Sequence, residues 1–284
     1  MNNYGKKVKS IRIGKGYSQK YVSEKICTQG NYSKFELGDN NDIKYSTLEE
    51  FLTRLEVSFE EFKYIGNDYN MHFRDKIIYD FYHQSYNKIE NLLDLKSRCE
   101  KYLKKSKNDK FIKNIHITLE GLLVLAKFDN HKEAMRIVYP IWDELSKRGD
   151  LFMSDIFLLN SILFIFPIET AVEMKNFAFR HIEKYKGFQN TNRLKINFSI
   201  NISSLYIEEK KYKEALKPLD EAIEMCKSEQ QYINLAICYV RKGICMKNLI
   251  IESDIWINKG FDILNVLEQP QLIEILEEEI KSHS

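Results

Sequence analysis

The 284-residue chain is predicted to be all-α, with a small basic N-terminal domain followed by a long array of helical pairs. Three observations predict this. Apolar residues recur at helical spacing, and no segment alternates at the period of a strand. Proline occurs only at Pro140, Pro167, Pro218 and Pro270 and glycine is sparse, so long helices joined by short turns are the economical reading. A short pattern, Lys132-Glu133-Ala134-Met135, returns as Lys213-Glu214-Ala215-Leu216, an offset of 81 residues and about twice a repeat of forty.

The elements follow in order. Tyr4, Val8 and Ile11 give a first helix one apolar face, and Gly14-Lys15-Gly16 ends it. That glycine turn is not a phosphate loop, because no strand precedes it. Ser18 is placed to cap a second helix with Tyr21, Val22 and Ile26 inward. Thr28 is placed to cap a third, with Tyr32 and Phe35 inward and Gly38 closing it. Two capped helices ten residues apart form a helix-turn-helix of the lambda-repressor type. Asp39-Asn40-Asn41-Asp42 reads as a polar loop. Ser46 is expected to cap a fourth helix with Leu48, Phe51, Leu52 and Leu55 inward, and Ser58 a fifth with Phe59 and Phe62. Gly66-Asn67-Asp68 marks the boundary, giving a DNA-binding domain at 1–66 and a repeat domain at 67–284.

Charge agrees locally. The whole chain carries only +2, but residues 1–34 hold eight cationic side chains against the single acid Glu24, a balance of +7. In a helix-turn-helix the second helix lies in the major groove and presents its N-terminal surface, here Gln29, Gly30, Asn31, Ser33 and Lys34. Gln and Asn amides can pair with the adenine edge at two points. Gln29 and Asn31 are therefore expected at base edges. Ser18 and Thr28, at the starts of the two helices of the motif, are also expected among the DNA-binding residues, and Gln19, Lys34 and Arg12 are expected to hold phosphates or brace those contacts.

Residues 69–105 supply one or two connecting helices. Beyond them, the first helices of successive pairs fall at 111–128, 151–166, 193–208 and 231–249. The second helices fall at 131–147, 168–185, 212–227 and 253–267, and 271–281 closes the array with an acidic outer face. Such pairs stack into a TPR-like superhelix whose first helices line a concave groove.

Ser18-Gln19 and Lys34-Phe35-Glu36-Leu37-Gly38, followed by helical repeats, resemble the Rgg/MutR/RopB-type regulators of Gram-positive bacteria. The stretch Asp155-Ile156-Phe157-Leu158-Leu159-Asn160, continuing to Phe164-Ile165-Phe166-Pro167, is similar to the middle region of that family. The resemblance spans essentially the whole chain. It implies a cytoplasmic, homodimeric transcription factor, in a family that typically exchanges its DNA-binding domains, whose repeats bind a short secreted and re-imported peptide in quorum sensing.

An extended peptide exposes amide and carbonyl groups at regular spacing, and Asn side chains carry donor and acceptor together. Asn160, Asn197, Asn201 and Asn234 lie on first helices, with Asn197 and Asn201 one turn apart on one face. They are expected to clamp the peptide backbone. Arg241 is expected to receive a peptide carboxylate. Phe157, Phe164, Phe198, Tyr206 and Tyr239 are candidates for side-chain pockets. Apolar residues of the closing helices, Ile255, Phe261, Leu264, Leu267, Leu272 and Ile275, offer a self-complementary dimer surface or finish the repeat core. A second reading remains: repeats that hold another protein on DNA and respond to no peptide.

Enzymatic classes are disfavoured. The six histidines and five cysteines show no metal-ligand spacing, no nucleophile motif appears, and no cofactor is expected. Five scattered cysteines, without a signal peptide, suggest a reducing compartment. The run 156–166 is too short to cross a bilayer.

Overall fold

A computed structural model describes residues 4–39, 43–83, 88–188 and 191–283. All regular elements among them are helical. The chain divides into two compact units, one ending at Asp80 and the other beginning at Phe81.

The first unit holds α1 (Tyr4–Gly14), α2 (Gln19–Ser23), α3 (Gln29–Leu37), α4 (Tyr45–Arg54) and α5 (Phe59–Gly66). Its core joins Val8, Val22, Tyr32, Phe35, Leu48, Phe51, Leu52, Leu55, Val57 and Phe62, so every one of the five helices contributes. Caps set the boundaries. Ser18 Oγ accepts from Tyr21 N at 3.1 Å and Thr28 Oγ1 from Asn31 N at 3.2 Å, while Gly38 closes α3 in the left-handed region at φ 90°.

Several expectations need correction. The second helix stops at Ser23 because Lys25 turns left-handed at φ 62°, so Ile26 packs on the core from outside the helix. Tyr21 is 44 % exposed, its ring tilted against that of Tyr17 and beneath Arg54. Ser46 caps nothing: α4 begins at Tyr45 after Lys44, with no side-chain cap. Tyr4 and Phe59 stay partly exposed, at 42 % and 39 %, and are not core residues. The expected polar loop falls mostly on residues 40–42, outside the described residues.

Helix α1 meets α3 at Gly5. A Cβ there would sit 1.7 Å from Phe35 O and 2.7 Å from Phe35 C, and backbone cannot swing away as a side chain can. Gly5→Ala should therefore force the two helices apart and cost at least about 1–3 kcal/mol. Thermal denaturation followed by circular dichroism checks this, and an unchanged transition would contradict the close approach.

Helix α6 (Phe73–His83) runs across the division between the units. The second unit continues with α7 (Ile89–Leu103), α8 (Lys110–Phe128), α9 (His131–Ser146), α10 (Met153–Ile162), α11 (Ile168–Ile182), α12 (Thr191–Glu208), α13 (Tyr212–Ser228), α14 (Tyr232–Asn248), α15 (Asp254–Val266) and α16 (Pro270–Ser282). Short 3-10 turns follow α10 and α11. From α7 onward almost every helix packs on the next in sequence, and α8, α10, α12, α14 and α16 also touch one another in series. First helices thus form a closer inner layer than second helices, which curves a stack of pairs around its inner face.

The repeated sequence pattern has a packing cause. Ala134, Ala171 and Ala215, near the starts of α9, α11 and α13, are all fully buried, where a larger side chain would hold the helices apart. Turns between helices use left-handed non-glycine residues: Asp129, Lys210, Gln230, Ile250 and Glu268. This is how a glycine-poor chain reverses direction, at about 1–2 kcal/mol per residue.

At the C-terminal end Leu264 is buried, and Phe261 and Leu272 pack on the core with Leu276. Those residues finish the repeat core and are not free as a surface. Ile255 and Ile275 stay exposed, as do Ile250, Ile251 and Val266.

Candidate nucleic-acid interface and groove

In the first unit Gln29, Gly30, Asn31 and Lys34 are exposed on α3, and Ser33 is half-buried. Lys20, Lys25 and Lys34 form no ion pair among the described residues, whereas Lys7 meets Asp68 at 3.1 Å and Lys15 meets Glu56 at 3.3 Å. The surface around α3 therefore keeps uncompensated positive charge beside the two amides.

Arg12 and Gln19 point inward to a brace. Arg12 Nε and Nη2 donate to Glu36 Oε1 and Oε2 at 2.6 and 2.9 Å, and Gln19 Nε2 donates to Glu36 Oε2 at 2.8 Å. Arg12 Nη1 also donates to Tyr17 O at 2.8 Å. Glu36 is only 1 % exposed. Burial by itself pushes its carboxyl up, but the bonds from Arg12 and Gln19 outweigh that and hold it below the usual carboxylate range. The guanidinium is raised in turn, first by its bond to Glu36. One carboxylate on α3 thus ties α1 and α2 to the helix that carries Gln29 and Asn31. Arg54 adds a second tie, donating to Tyr21 O and Glu24 O at 2.7 and 2.9 Å.

In the second unit, Asn160 of α10, Asn197 and Asn201 of α12 and Asn234 of α14 all line one cavity of about 290 Å³, with Phe157, Phe164, Tyr82, Ser161 and Ile200. Asn201 Nδ2 lies 3.3 Å from Asn160 O and 3.4 Å from its Oδ1, and Asn234 Nδ2 lies 3.5 Å from Asn197 Oδ1. These contacts are long and weak, so the amides can exchange them for a ligand at small cost.

Four candidates, Tyr239, Phe198, Tyr206 and Arg241, lie outside this cavity, the first two by helical phase and Arg241 because it is already paired. Tyr239 is five residues beyond Asn234, about 140° around the helix. It packs on Trp256 with ring centroids 5.4 Å apart. Phe198 follows Asn197 by one residue and is fully buried against Phe179. Arg241 shares Asn234's face, yet its fork is already taken: Nε and Nη2 donate to Glu279 at 2.8 and 3.3 Å. Tyr206 is half-buried against the C-terminal core.

Sequence reasoning missed Tyr82, whose ring lies 4.1 Å from that of Phe157. Nothing local marks it, because the two residues are far apart in the chain. Ser161 and Ile200 were missed as well, and a position next to an Asn does not mark them, since Phe198 holds the same position beside Asn197 and is buried. Among the described residues no group of His, Cys, Asp and Glu could hold a metal ion, and no helix is long and apolar enough to cross a membrane.

Residues 153–278 match the family model of the C-terminal domain of the HTH-type transcriptional regulator Rgg. No curated protein sequence matches the chain. Solved structures similar to this one include a protein of Listeria monocytogenes EGD-e assigned as a transcriptional regulator, with TM-score 0.76, 19% identity, and coverage of 99% of this chain and 97% of that one. The Streptococcus dysgalactiae SHP pheromone receptor Rgg2 gives TM-score 0.72 at 16% identity, covering 99% of this chain and 100% of the other. Bacillus thuringiensis PlcR in complex with the peptide PapR7 and DNA gives 0.66 at 16%, covering 97% and 99%. The likeness in fold runs over both units, and the resemblance to Rgg-type regulators read from the sequence reappears in the matched C-terminal segment.

Proposed function

We propose that this chain is a cytoplasmic transcriptional regulator that binds operator DNA as a homodimer and is controlled by a short signalling peptide held in the Asn-lined cavity. Residues 1–66 are the DNA-binding module and α6 is the connection to the repeats. The observation that carries the reading is convergence: four asparagines from three different helices line one cavity with three aromatic rings. The bonds these amides make to one another are long, and an extended peptide needs such groups for its own amides and carbonyls. The PlcR structure named above contains both a peptide and DNA.

On the DNA side, Gln29 and Asn31 read base edges and Lys20, Lys25 and Lys34 meet phosphates, while Arg12 and Gln19 hold α3 in position through Glu36. Asn31→Ala should weaken binding to the operator by about 1–3 kcal/mol and leave random DNA nearly unaffected. Gel-shift titration on both DNAs decides, and equal losses would remove the base-reading role.

Footprinting on the DNA adjoining the gene, with and without short hydrophobic peptides encoded nearby, tests the whole proposal. A protected pseudo-palindrome whose occupancy changes with one peptide is expected. Protection that no peptide alters would favour a repeat scaffold holding another protein on DNA.

A further inference from the structure

The concave face does not end at the asparagines. Asn197, Asn201 and Glu208 occupy one face of α12, since eleven residues make about three turns. Glu208 lines a second cavity of about 280 Å³ with His131, Met135, Phe164, Phe166 and Leu205. Phe164 borders both cavities, so they adjoin there, and the second takes its far wall from His131, Lys132 and Met135 of α9.

The charges around Glu208 are arranged unusually. Its neighbour Glu209 is paired with Lys211 at 2.6 Å, and Glu279 is taken by Arg241 at 2.8 Å. Glu208 itself makes no ion pair or hydrogen bond among the described residues, although His131 and Lys132 line the same cavity. Solvent reaches it, yet the surrounding protein desolvates the carboxylate and pushes its pKa up, against the pull of His131 and Arg241. An exposed carboxylate with no ion pair among the described residues, beside Met135, Phe164 and Phe166 and one step beyond the four asparagines, is complementary to a cation at the end of an apolar ligand.

We infer that Glu208 binds a positively charged group of the peptide, its amino terminus or a Lys or Arg side chain, and so fixes the direction in which the peptide lies along α12. The inference rests on the groove reading above. It adds ligand class and polarity: an apolar peptide with a cation toward the C-terminal end of α12 and its remaining backbone at the asparagines. Glu208 is then a specificity-determining residue.

The test uses the full chain, immobilised, and a pool of linear heptapeptides of Leu, Ile, Val, Phe and Gly in three forms. One has a free amino terminus, one is acetylated, and one is acetylated with a single Lys. Peptides retained by wild type, Glu208→Gln, Glu209→Gln and Asn201→Ala are counted by mass spectrometry. Wild type should retain at least one amine-bearing form roughly tenfold or more over the acetylated Lys-free form. Which form is retained tells amino terminus from side chain. Glu208→Gln should still retain peptides but lose the preference, and Glu209→Gln should keep it, which excludes general attraction to acidic protein. Asn201→Ala should reduce all forms alike. Equal retention of the three forms by wild type, or an undiminished preference in Glu208→Gln, would overturn the role of Glu208 while leaving the groove reading intact. No retention of any form by wild type would overturn both.

Discussion

Arg12→Ala is expected to unfold the N-terminal unit near ambient temperature while the repeats stay folded. Glu36 is 1 % exposed and receives two bonds from Arg12 and one from Gln19. Removing one partner of such a buried pair leaves an uncompensated charge, at about 3–5 kcal/mol. A domain of this size has a total stability of only about 3–10 kcal/mol, so the loss is comparable with the whole. Two thermal transitions should appear, the earlier one assigned to the N-terminal unit by loss of operator binding. Arg12→Lys keeps the charge but loses the fork, and should fall between.

Acid gives an independent check on the same pair. The folded carboxyl of Glu36 lies below its unfolded value, so its stabilisation is complete above the unfolded pKa, about 4.3, and is lost as pH falls through the folded one. Wild type should therefore approach Arg12→Ala in stability as pH is lowered below about 4. A gap between the two that stays constant with pH would mean that the cost of the variant is lost packing and not charge.

Asn201→Ala is expected to weaken peptide binding tenfold to a hundredfold with the fold intact. A peptide group that loses its partner inside the groove is stranded away from water, which costs about 1–3 kcal/mol. Little is lost from the protein itself, since Asn201 is half-buried and its contacts to Asn160 are 3.3 and 3.4 Å long. Calorimetric titration of both proteins with the peptide that alters the footprint measures the ratio. Unchanged affinity would move the clamp away from α12.

Helical order was legible in the sequence because it is local. Ser18, Thr28 and Gly38 act within a few residues of themselves, and the repeating Lys-Glu-Ala motif marks where two helices must approach closely. The asparagines were legible for a related reason: each lies on a first helix amid apolar residues, and first helices form the inner layer. What escaped is set by distance along the chain or by phase. The Arg12–Glu36 pair spans 24 residues and Arg241–Glu279 spans 38, so no window of helical periodicity contains either partner's answer. Tyr239 was misplaced because its five-residue offset from Asn234 turns it away from the groove. Lys25 ended α2 early through a left-handed backbone that no lysine advertises.

The central claim is that occupancy of the groove changes DNA binding. A ligand can do so only if it prefers one arrangement of the protein over another, so peptide and operator affinities must be linked. The direct measurement is operator affinity for wild type and Asn201→Ala across a peptide titration, with both proteins folded. The account predicts that peptide shifts the affinity of wild type, and that the variant shows the same limiting shift only at tenfold to a hundredfold more peptide. Identical peptide response in the two proteins, or no response in wild type while peptide demonstrably occupies the groove, would contradict it.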